Sequence, residues 1–313
     1  MALLNPCNLD ENIVNTGVDC DSAMLATAKL FMVPVTDRFT MADITGVGTF
    51  TEYAQSRCQD VPAKRWYPIF GSYAPINDLQ EATEEDVIES MPDGSKALVR
   101  RGYFNRTFLT TKGGECFANI LMRFPRGFAF IEVDQEGKVM LYEPTTGNFG
   151  GFPTALAYGK TPTLATFTTV FKNAFYLSFK ATTYIMNGKL FASDATEDIL
   201  SLNGLLDVAV TASTTTQTTT HLFVNVISEC SDTDLTVSFP TELPLVANFI
   251  VKLKSTGVVQ TISAVAIVGT DVQLTGTFIS ASVYTVQLAG ADVLFTNGVI
   301  GYDGVTTATI TIP

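Results

Sequence analysis

The chain has 313 residues, 46% of them apolar, 16% charged and 11% aromatic, with a formal net charge of −12. Length and apolar content allow two domains with substantial cores and exclude a disordered chain. The acidic balance repels phosphate, which argues against tight nucleic-acid binding, and no stretch reaches the roughly 20 apolar residues that span a bilayer.

Charge is unevenly spread. Residues 1–195 hold 17 basic and 21 acidic side chains, a net of −4, whereas residues 196–313 hold only Lys252 and Lys254 against 10 acids, a net of −8. A surface this poor in ions is the kind that neighbours cover, because obligate interfaces resemble a domain core cut in half. The expectation is a homo-oligomer.

The opening residues MALLNPCNLDEN read as an extended arm. Asn5-Pro6 and the polar run 12–19 favour turns, and the basic head and apolar run of an export signal are missing. The expected place of synthesis is therefore a cytosol. A helix is expected over 22–31, capped by Asp19 or Asp21 and stopped by Pro34, since Met24, Leu25, Ala28 and Phe31 fall at helical spacing. A second helix is expected over 49–58, between Gly48 and Pro62.

Strand signals follow. Pro68 makes 65–70 an edge or a strand end. Residues 86–90 and 96–101 flank Pro92-Asp93-Gly94 and read as a hairpin. Strands over 103–110 and 116–124 are separated by Lys112-Gly113-Gly114, and strands over 128–134 and 138–143 are joined through Gln135-Glu136-Gly137. A long aromatic strand is expected over 171–184. Asp194 and Glu197 mark a short helix over 195–202, with Gly204 past its end.

The threonine tract 211–220 fits either a linker or a strand with its hydroxyls in water. Beyond it, seven short strands are expected over 222–228, 235–239, 248–254, 258–262, 272–275, 283–288 and 306–312. The fold class is therefore mainly β: an α+β N-terminal domain over 1–204 with an antiparallel sheet and a few short helices, a linker or first strand over 205–220, and an immunoglobulin-like β-sandwich over 221–313. The Cys…Trp…Cys signature of antibody domains is missing, since Trp66 is the only tryptophan.

Catalytic patterns are weak throughout. His221, the single histidine, opens an expected strand without a Gly-x-Ser-x-Gly elbow nearby. Glu84, Glu85, Asp86 and Glu89 are adjacent acids before a hairpin, which is a solvated loop rather than a pair held at fixed separation. Asp232, Asp234, Asp271 and Asp303 lack the spacing of a calcium loop, and Gly46-x-Gly48 and Gly113-Gly114 lack that of a phosphate loop. Cys7, Cys20, Cys58, Cys116 and Cys230 form no Cys-x-x-Cys pair, so the expectation is reduced, mostly buried thiols, with a Cys7–Cys20 bridge left open. Neither an enzyme, a metal nor a cofactor is expected.

The one basic concentration is Arg100, Arg101, Arg106, Arg123 and Arg126 among aromatic strands. Beside Tyr103, Phe104 and Phe108 it has the look of a single-strand platform, which the overall acidity opposes. Arginine suits interface ion pairs, so Arg100, Arg101 and Arg106 are expected to bridge to Glu84, Glu85 and Asp86 of a neighbouring subunit.

The order of parts resembles structural proteins of tailed bacteriophages: an NPCNLDEN arm, a helix-bearing β-domain through TTYIMNGKLF, the ATEDILSLNGL joint and a β-rich C-terminal module. The likeness is architectural, without a diagnostic motif, and is most similar to a tail-tube (major tail) protein. It implies a virion location, stacked rings, typically hexameric, and contacts with other tail proteins. It also implies an acidic lumen through which DNA passes unbound, no membrane partner, and an outward C-terminal module that touches host-surface glycans or stabilises the shaft. Other readings are a head-decoration, collar or baseplate protein, or a host-surface glycan-binding protein.

Overall fold

Residues 30–33, Leu-Phe-Met-Val, have no access to water. A strand buries both its faces only when a core lies on each side of it, and the first part of the molecule is organised that way. The computed structural model describes residues 24–70, 74–124, 127–191, 199–202, 204–229, 232–304 and 306–313. It is mainly β, and it divides into two compact units, Met1–Cys58 with Pro62–Asn203, and Gly204–Pro313 with Gln59–Val61.

In chain order the first unit contains β1 (Thr27–Pro34), α1 (Met41–Val47), α2 (Phe50–Cys58), β2 (Tyr67–Pro68), β3 (Asp78–Glu81), β4 (Val87–Ser90), β5 (Lys96–Arg100), β6 (Tyr103–Thr110), α3 (Gly114–Arg123), β7 (Phe128–Asp134), β8 (Val139–Thr145), β9 (Asn148–Gly150), β10 (Phe152–Thr163), β11 (Lys172–Lys180), α4 (Ala181–Asn187) and β12 (Gly188–Phe191). Among the described residues, 10 strands form one sheet with the path β12-β8-β7-β10-β11-β6-β3. β1 joins β7, β2 joins β1, and β9 joins β8, while β4 and β5 pair only with each other.

β7 separates two cores. Ala129, Ile131 and Val133 face one side with Phe31, Val33, Trp66 and the helical residues Ile44, Phe50 and Tyr53. Phe130 faces the other with Leu30, Met32, Phe108, Phe152, Phe175 and Phe179, closed by Phe117 and Leu121 of α3. Each such side chain contributes about 1.5–3 kcal/mol on leaving water, so these aromatic layers dominate the stability of the unit.

Two expectations fail here for a common reason. The helix expected over 22–31 is strand β1 from Thr27 onward, because residues buried on both faces lose the alternation that marks a strand and mimic a helical stripe. The strand expected over 116–124 is α3, whose Phe117, Ala118 and Leu121 recur at helical spacing. Gly159 of β10 lets α3 lie close, since a Cβ there would stand 2.3 Å from the Leu121 carbonyl oxygen. The aromatic strand expected to 184 stops at Lys180, and α4 follows. The helix α1, capped by Thr40 and Asp43 in a mutual box, was not expected. Of the helix expected over 195–202, residues 195–198 lie outside the described residues and Ile199–Ser201 is a single 3-10 turn. Lys29, fully buried, donates through Nζ to the carbonyls of Leu200 and Leu202 and holds that turn in place.

An ion pair crosses the second core. Glu132 stands on β7 with no exposure at all. One terminal nitrogen of Arg106, from β6, lies 2.7 and 2.9 Å from its two oxygens. The Tyr184 hydroxyl donates to the same carboxylate at 2.7 Å. The guanidinium also lies over the rings of Phe179 and Tyr184, and its Nε is 3.7 Å from Glu81. Burial alone would weaken the Arg106 charge, but Glu132, Tyr184 and Glu81 together outweigh it and raise the arginine pKa. Burial first, then Glu132, raises the Tyr184 pKa, so the phenol stays a donor.

The second unit contains β13 (Leu206–Ala212), β14 (His221–Ser228), α5 (Leu235–Ser238), β15 (Phe249–Leu253), β16 (Val259–Gln260), β17 (Ile262–Val268), β18 (Asp271–Gly276), β19 (Val283–Leu288), α6 (Ala291–Thr296), β20 (Tyr302–Gly304) and β21 (Thr307–Thr311). They form a 5-stranded sheet, β17-β18-β14-β13-β20, and a 4-stranded sheet, β16-β15-β19-β21. Val224, Val226, Val272 and Leu274 of one sheet share a core with Val251, Tyr284, Val286 and Ile310 of the other. Strict alternation in β14 and β19 made those strands readable. The strand expected over 235–239 is instead the short helix α5, because the Asp234 carboxylate accepts from the Thr236 amide and starts a turn. The threonine tract begins as the end of β13 and continues as turns. β17, β20 and α6 were not expected.

Cys58 is a free, buried thiol, whereas Cys116 is disulfide-bonded, contrary to the reduced state expected from the spacings. Cys7, Cys20 and Cys230 lie outside the described residues. Burial pushes the Cys58 thiol up to about 12, against the opposing pull of Lys29 and Arg65. Cys58 should therefore resist maleimide labelling at neutral and mildly alkaline pH and react only on unfolding; mass spectrometry of labelled native protein checks this. Replacing Arg106 with Met should destabilise the unit by about 3–5 kcal/mol, because Glu132 is left buried and unpaired, and Arg106→Met with Glu132→Leu should recover most of the loss. Denaturant melts of the single and double variants measure both.

Candidate assembly surface

β4 and β5 form a hairpin that stands apart from the main sheet. Every residue of β4 is exposed, and so is all of β5 but Ala97. Yet it carries Val87, Ile88, Leu98 and Val99, with Ile88 57% and Val99 58% exposed, and Met91 at the turn. Ile88 lies opposite Leu98. Apolar residues in water on both sides of an isolated hairpin make it a candidate contact element, because a free two-stranded hairpin is marginal by itself.

This hairpin is hydrogen-bonded at both ends. At the tip, the Met91 amide donates to the Ser95 carbonyl at 2.8 Å, and Asp93 accepts from the Ser95 amide and hydroxyl at 2.9 and 2.6 Å. The Ser95 hydroxyl first, then its amide, lowers the Asp93 pKa. At the base, the two terminal nitrogens of Arg100 meet the two oxygens of Glu84 at 2.9 and 3.1 Å, a fork-on-fork pair. The hydrogen bond from Arg100 lowers the Glu84 pKa. Asp86 accepts from the Gly102 amide at 2.8 Å and lies 3.9 Å from Arg101. Gly102 is required there, since a Cβ would fall 1.7 Å from the Glu84 carbonyl oxygen.

The residues singled out in the sequence thus meet, but within one chain. Arg100 clasps Glu84, Arg101 stands beside Asp86, Glu85 is exposed between them, and Arg106 is committed to Glu132 and Glu81 in the interior. Their expected partners in a neighbouring subunit are satisfied locally, because a hairpin returns residue 100 to residue 84 at no further chain cost. Arg123 closes α3, and Arg126 lies outside the described residues. Sequence reasoning passed over Glu132. Its signal was an acid inside the apolar run FAFIEV, which demands a partner.

A second exposed apolar element lies at the β10–β11 turn. No charge occurs between Lys160 and Lys172, and residues 163–170 are all exposed, with Leu164 66% and Val170 58% exposed and Phe167 fully in water. Here too the turn is ordered: Thr166 Oγ1 accepts from the amides of Thr168 and Thr169, and the Thr166 amide donates to the Thr169 carbonyl at 2.9 Å. The two elements leave opposite ends of the same strands. Asn173 pairs with Thr110 at the β10–β11 end of β6, and Glu81 pairs with Arg106 toward the β4–β5 end. An 8-residue strand separates them, roughly 26 Å at the usual rise per residue.

The remaining chemical candidates have structural occupations. His221 opens β14, and its Nδ1 lies 2.8 Å from the Thr220 hydroxyl. Asp271 accepts from the hydroxyls of Ser213 and Thr215, and Asp303 accepts from the Ala291 amide. Among the described residues, no group of three or more His, Cys, Asp or Glu side chains is placed to hold a metal, and no helix is long and apolar enough to cross a membrane. No protein-family profile and no curated protein sequence matches the chain.

Gly102→Ala should loosen the hairpin base and expose residues 82–101 to limited proteolysis, while Arg100→Ala, which removes only a solvent-exposed pair, should change cleavage little. Equal cleavage of both variants and the parent would count against the close-approach argument.

Proposed function

We propose that this chain is a non-enzymatic structural protein that assembles with copies of itself, and that it serves as a virion component of a tailed bacteriophage, most like a tail-tube protein. The observation that carries the reading is the pair of ordered, apolar, exposed turns at opposite ends of one sheet. A contact between one such element and a different surface of the next copy is heterologous, and heterologous contacts build rings or open stacks rather than closed dimers. Sparse surface charge lowers the desolvation cost of such contacts. The net charge of −12 keeps a polyanion such as DNA from adhering to the assembly.

Concentrated protein examined by negative-stain electron microscopy should show rings or tubes. Ile88→Asp with Leu98→Asp, and separately Phe167→Asp, should each raise the concentration needed for assembly by roughly 10- to 100-fold, the loss of one or two buried apolar contacts, with unchanged thermal melting. Monodisperse monomers at high concentration, or variants that assemble like the parent, would sink the proposal.

A further inference from the structure

The first unit has a sheet face whose charge is opposite to that of the rest of the molecule. Ala157 of β10 and Phe175, Leu177 and Phe179 of β11 turn into the aromatic core. Alternation sends their neighbours to the other face, and the register lines them up there. Leu156 lies opposite Ser178, Tyr158 opposite Tyr176, and Lys160 opposite Ala174, while Leu109 of β6 lies opposite Asp78 of β3. Across β10, β11, β6 and β3 the charged residues of this face are Lys160, Lys172 and Lys180 against Asp78, a net of +2 on a chain of net −12. All three lysines are exposed, and among the described residues their ammonium groups have no hydrogen-bond or ion-pair partner. Arg57, Arg100 and Arg106 of the same unit, by contrast, are each committed to a carboxylate.

The lysines bracket an apolar patch. Lys172 and Lys180 end β11, roughly 26 Å apart at the usual rise per residue. Between them lie Tyr176, Tyr158 and Leu156, the last two exposed, with the tyrosine rings 5.2 Å apart. The Tyr176 hydroxyl donates to Asn105 at 3.0 Å, which fixes that ring in advance.

The β4–β5 hairpin carries the complementary order of groups. Residues 82–101 hold 5 acids and 3 bases, a net of −2. Arg100 is taken by Glu84 and Arg101 stands beside Asp86, which leaves Glu85, Glu89 and Asp93 against Lys96. Glu85 and Asp93 are 8 positions apart, as Lys172 and Lys180 are, and Ile88 lies between them with Leu98 opposite it. No residue of β4 or β5 is buried, so the hairpin of one chain does not cover the face of that same chain.

We propose that the β4–β5 hairpin of one copy lies across the lysine-bearing sheet face of the next. Glu85, Glu89 and Asp93 are then set among Lys160, Lys172 and Lys180, and Ile88 and Leu98 cover Tyr158, Tyr176 and Leu156. Salt screens the overall like charge of two copies beyond about 8–10 Å, so at contact the local signs, +2 against −2, decide the fit. The apolar groups supply most of the affinity, and the charges fix orientation and exclude other surfaces. The proposal rests on the assembly reading above and deepens it by naming the surface that receives one of its two apolar elements.

The test follows assembly of the full-length chain by light scattering over a concentration series. Lys160→Glu with Lys172→Glu, and separately Glu85→Lys with Glu89→Lys, should each raise the concentration needed by about tenfold or more. A chain carrying all four changes should assemble much as the parent does, and so should an equimolar mixture of the two double variants. Lys64→Glu with Lys254→Glu alters net charge as the first variant does, at exposed residues off this face, and should leave assembly near that of the parent. Every change is at an exposed side chain, so thermal melting should stay that of the parent. A parent that does not assemble would overturn both this contact and the reading beneath it. An assembling parent would leave that reading standing, and three results would then overturn the contact alone. They are a double variant that assembles like the parent, no recovery in the four-change chain, and an equal loss in the Lys64 and Lys254 control.

Discussion

A carboxylate without access to water is tolerable only if it is neutralised on the spot, and Glu132 sets that requirement for the first unit. Arg106 meets it from β6, although the sheet path places β10 and β11 between β6 and β7. Three strand spacings would put the two strands about 14 Å apart in a flat sheet. The pair therefore makes contact only because the sheet curls, with β10 pairing with β7 through Phe152 and Pro153 and with β11 over the rest of its length. The aromatic core that fills the curl, from Phe130 to Phe179, surrounds the pair, and Tyr184 from α4 takes up a further lone pair of the carboxylate. Curl, core and ion pair are thus one arrangement, and loss of any of them leaves the others unsatisfied.

That arrangement has a consequence at the surface. Because β6 is fixed in the interior through Arg106, what leaves its two ends is fixed as well. At one end the chain enters the β4–β5 hairpin, clasped by Arg100 and Glu84; at the other it faces the β10–β11 turn, ordered by Thr166. Neither element buries its apolar residues within the chain. Presenting them in preorganised form reduces the ordering cost of association, and an ordered apolar turn in water is otherwise difficult to justify energetically.

How far the sequence was legible follows from where each residue's environment is made. Turn chemistry is local, so the hairpin about Pro92-Asp93-Gly94 and the one through Gln135-Glu136-Gly137 were readable, as were β14 and β19, where one face meets a core and the other meets water. β1 and α3 were misread because their environments come from distant chain. Burial of β1 on both faces depends on β7, about a hundred residues later, and α3 depends on the space left by Gly159. The arginines were recognised as paired, and within one chain Arg100 meets Glu84 and Arg101 stands near Asp86. Spacing along the chain does not reveal that Asp86 and Gly102 are adjacent, or that Glu132 waits inside an apolar strand.

The distribution of charge reconciles two demands that oppose one another. A protein with exposed apolar turns invites indiscriminate association. Here the net charge of −12 opposes it over the rest of the surface, and two of the exposed apolar elements lie in uncharged stretches interrupted by turns, 161–171 in the first unit and 255–270 in the second. Repulsion between like copies is screened beyond roughly 8–10 Å at physiological ionic strength. It therefore penalises loose or misaligned encounters while permitting those in which an uncharged element meets its match closely. In the assembly proposed above, specificity would then come from the places where repulsion is absent.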